Sequence, residues 1–314
     1  MKFSVTIPAY KARFLKECIE SILSQTYKDF ELIIVNDASP EDLTSIVKSF
    51  DDPRIRYYVN EKNCGAINVV DNWNKCLDYA TGEYIICMGD DDKLLPNCLE
   101  EYVKLINKYP NLNIYHAWTE IIDENSNAIE IQEGRPEREG VYSMIWSRWN
   151  GRIQFIGDFL FNRKILKDNG GFYKLPLAWS SDDISTFIAA KDTGIANMQT
   201  LGFQYRSTTE TISRSNDNFK YKLLANIQEE EWYRLFLKNV PKHTNKVEYI
   251  FWEMLVKHLS RRMMKVRIYT ISRNMANNGL YRVFEYFVKR KEYRLNFPMI
   301  GYAFIEAIRI RILH

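Results

Sequence analysis

Cysteine is scarce in this chain. Its five residues, Cys18, Cys64, Cys76, Cys87 and Cys98, are odd in number and include no Cys-x-x-Cys pair, so neither a disulfide framework nor a thiolate zinc site is indicated. A reducing, cytoplasmic setting is expected. Long apolar runs are missing as well: no segment reaches the roughly 18 uncharged apolar residues that cross a bilayer. The stretch Met1-Lys2-Phe3-Ser4-Val5-Thr6-Ile7-Pro8 is too short to be the core of a secretory leader. The four histidines, His116, His243, His258 and His314, show no ligand spacing. Glycine is absent where a dinucleotide would need it, because Ile7-Pro8-Ala9-Tyr10-Lys11 offers no close approach for a pyrophosphate at a helix N-terminus. A nicotinamide-dependent dehydrogenase is therefore disfavoured.

What is present is an ordinary globular composition, 46% hydrophobic over 314 residues, enough for one large domain or a domain with an appendage. The net charge of +3 conceals an asymmetry. Residues 220–314 carry 19 Lys and Arg against 8 Asp and Glu, a net +11, which leaves −8 for residues 1–219. An acidic front and a basic, aromatic tail imply two tasks, and the tail's expected partner is anionic.

Phe3 to Ile7 reads as a strand, Phe14 to Gln25 places Leu15, Cys18, Ile19, Ile22 and Leu23 on one helical face, and Phe30 to Val35 is an apolar run but for Glu31. Strand, helix and buried strand make a βαβ unit with a parallel sheet. The pattern continues with a strand at 54–59, a helix at 66–80 and a strand at 84–88. A helix at 96–109 and an extended segment at 113–122 follow, then loops or a hairpin to 140. Residues 142–163, rich in Trp and Phe, fit no period. A helix from Ser181 to Asp192 and a strand at 196–205 come next, and the chain is helical nearly throughout after Asn218. The boundary is placed between 217 and 218.

In open α/β sheets ligands bind beyond the carboxyl ends of the strands, where this chain puts Pro8-Ala9-Tyr10, Asn36-Asp37 and Asp90-Asp91-Asp92. Three adjacent carboxylates repel one another, so the last cluster suggests a bound cation. Mg²⁺ and Mn²⁺ are held by one or two carboxylates together with substrate phosphate oxygens. The alternative is a solvated turn in which one aspartate caps the next helix. Asp37 taken alone is more often a turn residue than a ligand.

Five segments resemble family 2 glycosyltransferases in order and spacing: Val5-Thr6-Ile7-Pro8-Ala9-Tyr10, the span Cys18 to Tyr27, Val35-Asn36-Asp37-Ala38-Ser39, Ala80-Thr81-Gly82-Glu83-Tyr84-Ile85, and the acidic loop ending in Pro96. The resemblance covers about residues 1–215. It implies the GT-A fold, a mostly parallel α/β sheet flanked by helices, and inverting transfer from a nucleotide diphosphate sugar. By the same resemblance Pro8, Tyr10 and Asp37 bind the base, Asp90 contacts the ribose and Asp91 holds the metal. Asp92 supports the metal or faces the acceptor. Gly89 departs from the family pattern, standing where its first aspartate is usual, and Asn72 is a further candidate donor contact.

An inverting transfer needs a base for the acceptor hydroxyl. Gly170-Gly171-Phe172 followed by Asp182-Asp183 resembles the family's Gly-Gly-Phe and Glu-Asp elements, which makes Asp183 the catalytic aspartate and Asp182 its neighbour in place of the usual Glu. The competing reading is an N-terminal helix turn whose acids answer the helix dipole. Arg206 and Arg214 follow as candidate partners of the departing diphosphate. In the tail, basic residues interleave with apolar and aromatic ones over 261–267 and 297–311, which suits either an interfacial helix on anionic lipid or a helical cap on the catalytic domain. No nucleic-acid motif accompanies the charge.

The sequence thus leads to a GT-A catalytic domain over 1–217 and a basic helical extension over 218–314. The expected reaction is Mn²⁺- or Mg²⁺-dependent transfer, from a UDP-sugar first, to a saccharide or lipid-linked saccharide in cell-surface polysaccharide synthesis. The expected location is the cytoplasm, peripheral to the inner face of its membrane. The rival from another class is a nucleotide-sugar-binding or membrane-associated scaffold without turnover.

Overall fold

The apolar runs of the first hundred residues form the parallel half of one sheet. In the computed structural model, which describes residues 1–208, 218–241 and 245–313, the elements are β1 (Phe3–Ala9), α1 (Leu15–Leu23), β2 (Phe30–Asn36), α2 (Leu43–Lys48), β3 (Ile55–Val59), α3 (Val69–Tyr79) and β4 (Tyr84–Cys87). β1 pairs in parallel with both β2 and β4, and β2 with β3. Helices cover both faces of these strands, so β2 is buried at every position and shows no alternation. α1 turns Leu15, Cys18, Ile19 and Ile22 into the core, the stripe its spacing predicts.

Beyond β4 the chain continues as β5 (Lys93–Leu94), α4 (Cys98–Lys108), β6 (Ile114–Ile122), β7 (Ala128–Ile131), β8 (Arg138–Glu139), α5 (Val141–Trp149), β9 (Phe159–Asn162), α6 (Arg163–Asp168), α7 (Ser181–Ala190) and β10 (Ile195–Arg206). The sheet runs β3-β2-β1-β4-β9-β6-β10-β5, with β7 on β6 and β8 on β10. β9 is antiparallel to both β4 and β6, while β6 and β10 are parallel. The sheet is therefore parallel in its first four strands and mixed beyond them. The predicted hairpin is β6–β7, whose turn places Ser126 at φ 64°.

One buried carboxylate clips the first strands to the turn before β4. Glu31 accepts hydrogen bonds from Ser4 Oγ (2.6 Å), Thr81 N (2.6 Å), Thr81 Oγ1 (2.8 Å) and Arg56 (2.8 Å). A Cβ on Gly82 would stand 2.7 Å from the Lys2 carbonyl oxygen and 2.8 Å from Ser4 N, neither of which can give way. The Thr81-Gly82 pair in the family-like motif thus serves the fold. Burial alone would raise the Glu31 carboxyl, but the donors from Ser4, Thr81 and Arg56 outweigh it and hold the group at about 2. A depressed folded-state value stabilises above the unfolded pKa and is lost as pH falls. Unfolding free energy is accordingly expected to drop by about 3 kcal/mol between pH ~4.5 and ~2 through this residue. Denaturant titrations across that range should show the drop much reduced in Glu31→Gln.

The second compact unit joins Leu175–Ser180 to the described residues from 218 onward. Its helices are α8 (Phe219–Phe236), α9 (Lys246–Asn278), α10 (Val283–Val288) and α11 (Phe297–Leu313). Leu223, Ile271, Met275, Tyr286, Ile300 and Ala303 form its core. Inside, Tyr286 donates to Asn274 Oδ1 (2.6 Å) and Asn226 to Thr270 Oγ1 (2.9 Å), and Arg267 pairs with Glu230. No helix among the described residues is long and apolar enough to cross a membrane.

Candidate active site

Aspartates anchor the loops at the carboxyl ends of the first strands, Asp90 joining the acidic loop after β4 to the end of β1 and Asp37 joining the end of β2 to the segment after β3. Asp90 Oδ2 accepts from the backbone amides of Tyr10 (2.6 Å) and Lys11 (2.7 Å), binding the acidic loop to the end of β1. Burial, together with the charge of Asp91, pushes the Asp90 carboxyl up to about 6 against those two amides. Pro8 closes β1 opposite Val35, and the Tyr10 ring beyond it is exposed. Asp37, buried at the end of β2, accepts from Asn60 Nδ2 (2.7 Å) and Cys64 N (3.0 Å). Asn72 lies one layer deeper, 1% exposed, donating to the Val35 carbonyl (3.2 Å) and accepting from Asn60 (3.0 Å). It reaches the Asp37 edge through Asn60.

The three consecutive aspartates have three different environments. Asp92 is buried: its Oδ2 accepts from Gly89 N (3.2 Å) and its Oδ1 from the Arg206 amide (3.0 Å). Burial first, then the Asp91 charge, push it well above the usual carboxylate range. A Cβ at residue 89 would stand 2.8 Å from Asp91 Oδ1 and 2.9 Å from Asp92 Oδ2, so the glycine that departs from the family pattern is what lets this loop close so tightly. Asp91 is the member left over. Among the described residues no other group hydrogen-bonds its carboxylate, which burial raises while Lys11 and Arg206 pull it down.

Arg206 requires a correction. As a partner of the departing diphosphate it would need an accessible guanidinium, and the side chain is 0% exposed. Its Nε donates to the Asp91 carbonyl (2.8 Å), Nη1 to the carbonyl of Asp123 (3.0 Å) and to Ser126 Oγ (3.1 Å), and Nη2 to Glu17 (3.0 Å). The guanidinium also sits 4.2 Å from the Phe14 ring centre. Arg206 is a strut that fixes the acidic loop to β10 and to the β6–β7 turn. Arg214 lies outside the described residues.

Asp183, near the start of α7, is likewise buried and directed. Its Oδ1 accepts from Arg148 Nε (2.8 Å) on α5 and from Gln154 Nε2 (2.8 Å). Asp182 is half-buried; burial, and then the charge of Asp183, push it up to about 7. Just upstream in sequence, Leu177, Ala178 and Ser180 hold φ of 63°, 53° and 67°, left-handed backbone at non-glycine positions. Gly170 and Gly171 also have positive φ, and the Asn74 side chain accepts from Phe172 N (2.8 Å) and donates to its carbonyl (3.1 Å). A Cβ on Gly171 would collide with that amide.

Base candidate and acidic loop are joined by two dipeptides. Gln154 donates to Asp183, and the ring of its neighbour Phe155 stacks on Tyr205 at a centroid separation of 3.6 Å. The next residue, Arg206, gives its amide to Asp92. A Cβ at Gly157 would meet the Phe203 ring and come within 3.0 Å of Met88 Cβ, so this turn lies against the ends of β4 and β10. Arg148, Gln154 and Phe155 carry no sequence signal of their own, since they fall within the aromatic stretch that fits no period.

The acidic loop is not an all-protein metal cage. Among the described residues no three His, Cys, Asp or Glu side chains converge as ligands. With Asp90 and Asp92 engaged by amides, Asp91 alone has an uncommitted carboxylate, and that donor set fits a cation held jointly with substrate phosphates.

Comparisons with known proteins bear on the fold and the family. The crystal structure of Staphylococcus aureus TarS residues 1–349 with UDP-GlcNAc aligns at a TM-score of 0.64 and 16% identity, covering 100% of this chain and 93% of that one. The likeness establishes the GT-A fold with a helical C-terminal region. An uncharacterized glycosyltransferase of Methanocaldococcus jannaschii is 36% identical over 140 residues, 43% of this chain and 47% of its own length. The GalNAc(5)-diNAcBac-PP-undecaprenol beta-1,3-glucosyltransferase of Campylobacter jejuni is 36% identical over 110 residues, 34% of this chain and 35% of its own. The matches thus span less than half the length of these curated relatives. The profile of Glycosyl transferase family 2 matches residues 4–170, more than half of the sequence, and the chain belongs to that family.

Proposed function

We propose that the chain transfers a sugar, with inversion at the anomeric carbon, from a nucleoside diphosphate sugar to a saccharide or lipid-linked saccharide acceptor. A UDP-sugar is the first choice of donor, supported by the UDP-GlcNAc and UDP complexes of the structural neighbour. The undecaprenol-linked substrate in the Campylobacter relative's name supports the acceptor class, and with it a role in cell-surface polysaccharide synthesis at the inner membrane face. Residues 1–217 would carry catalysis and 218–314 the extension. The observation that carries the reading is the path Asp183, Gln154-Phe155, Tyr205-Arg206, Asp92, which holds a carboxylate base and an acidic donor loop in one framework.

In this reading Pro8, Tyr10 and Asp37 receive the base, and Asp90 Oδ1, not used by its two amide donors, receives the ribose. Asp91 holds Mn²⁺ or Mg²⁺ together with the diphosphate. A cation bound there offsets the negative charge that builds on the leaving diphosphate. The acceptor oxygen forms its bond to the anomeric carbon as the bond from that carbon to the diphosphate oxygen breaks. Asp183 takes the hydroxyl proton on Oδ2, because Oδ1 is occupied by Arg148 and Gln154. Asp92 and Arg206 position the loop, and Asp182 keeps a second carboxyl beside the base.

Calorimetry of UDP binding with and without Mn²⁺ tests the metal assignment. In the unsubstituted protein Mn²⁺ is expected to strengthen UDP binding, and Asp91→Asn should remove at least about tenfold of that gain. An undiminished Mn²⁺ effect in Asp91→Asn would overturn the assignment. Turnover of UDP-sugars onto saccharide acceptors tests the reaction itself; UDP binding without turnover on any acceptor favours a scaffold.

A further inference from the structure

Among the described residues, half of the large exposed apolar side chains of the second unit lie from Tyr281 onward, the other half being spread over α8, α9 and the segment between them. Tyr281, in the turn before α10, and Phe284 and Val288 on α10 itself follow at spacings of three and four residues and are 67%, 70% and 80% exposed. Phe287 adds to the same edge, and its ring lies 5.8 Å from that of Phe297, the 58% exposed first residue of α11. The Arg290 guanidinium covers the Phe297 ring at 5.0 Å. From Arg282 to Arg294 the chain has five basic residues and two acidic ones. Glu285 is taken up by Arg282 and Lys289, while Arg290 and Lys291 pair with no carboxylate among the described residues.

We propose that this projecting aromatic and aliphatic cluster, Tyr281, Phe284, Val288 and Phe297, inserts among the headgroups of an anionic lipid bilayer, with Arg290 and Lys291 pairing to lipid phosphates. Buried apolar area and attraction to anionic lipid act together in such contacts. A second copy of this chain is the poorer occupant, because a symmetric contact through the cluster would gather the positive charges of Arg290 and Lys291 from both copies at one interface. The inference goes beyond the sugar-transfer reading and does not depend on it.

Co-sedimentation of the full chain with phosphatidylcholine vesicles, with and without about 30% phosphatidylglycerol, tests it. The unsubstituted protein should pellet with the anionic vesicles and far less with the neutral ones. Both Phe284→Ser/Val288→Ser and Arg290→Glu/Lys291→Glu should lower the partition coefficient at least about tenfold. Exposed substitutions of this kind are well tolerated by the fold, which circular dichroism and transfer onto a water-soluble acceptor would verify. A protein that stays in the supernatant with anionic vesicles, or variants that pellet as the parent does, would overturn the proposal. So would light scattering that shows a dimer lost in the Phe284→Ser/Val288→Ser variant. Turnover on the soluble acceptor is read separately, so failure of the vesicle arm leaves the transfer reaction untouched.

Discussion

Asp183→Asn is expected to lower kcat by about 10²–10⁴-fold while UDP affinity stays within about twofold. The substitution retains an amide oxygen for Arg148 and Gln154, the two donors at 2.8 Å on Oδ1, so the surroundings need not rearrange. What it removes is the second oxygen's capacity to take a proton from the acceptor hydroxyl. Steady-state kinetics paired with UDP calorimetry separate the two quantities. A fall in affinity with unchanged kcat would place Asp183 in donor binding instead. Retention of kcat would return it to the bland role of a first-turn helix acid. Asp182 cannot be the substitute without a pH signature: in Asp183→Asn burial still raises its carboxyl, though less than in the parent because the Asp183 charge is gone, so any residual activity it carries should climb with pH as it ionises.

The parts of this molecule that the sequence makes legible are those whose physics is local or repetitive. β1, β2 and β4 are readable because strands buried on both faces are mostly apolar, the exceptions Ser4, Thr6 and Glu31 being buried as well. α1 is readable because one face alone is buried. The acidic loop is readable by its distance from Pro96 and its place at a strand end. α5 and β9 are not, because the segment from Tyr142 to Asn162 packs aromatic residues on both sides of short elements and follows neither period. The partners that orient Asp183 come from that segment, 35 and 29 residues away in sequence, and no local pattern announces them. Two of the motifs that resemble the family, Thr81-Gly82 and Gly170-Gly171-Phe172, prove to be close backbone approaches and clamped turns. They mark the fold, and chemistry is inferred from what the fold then brings together.

Arg206 is where local reading and structure part most sharply, and its removal has the largest expected effect on stability. A buried arginine and a surface arginine look alike in sequence; only the partners differ. Arg206→Ala strips donors from the carbonyls of Asp91 and Asp123, from Ser126 and from Glu17, and empties a fully buried site. Lost hydrogen bonds and a cavity together should cost about 3 kcal/mol or more. For a unit of this size that lowers Tm by about 6–12 °C in calorimetry. Because Asp92 accepts from the Arg206 backbone amide, which the substitution keeps, one anchor of the loop survives and the chain should still fold. UDP affinity should fall alongside Tm, since Asp91 is carried by the loosened segment. A diphosphate clamp makes the opposite prediction: Tm unmoved, with only donor binding weakened. Arg206→Lys discriminates further, because a single ammonium retains the charge but cannot span Glu17, Ser126 and two carbonyls at once. Tm in that variant is expected to recover only in part, whereas an exposed clamp would show no Tm loss to recover.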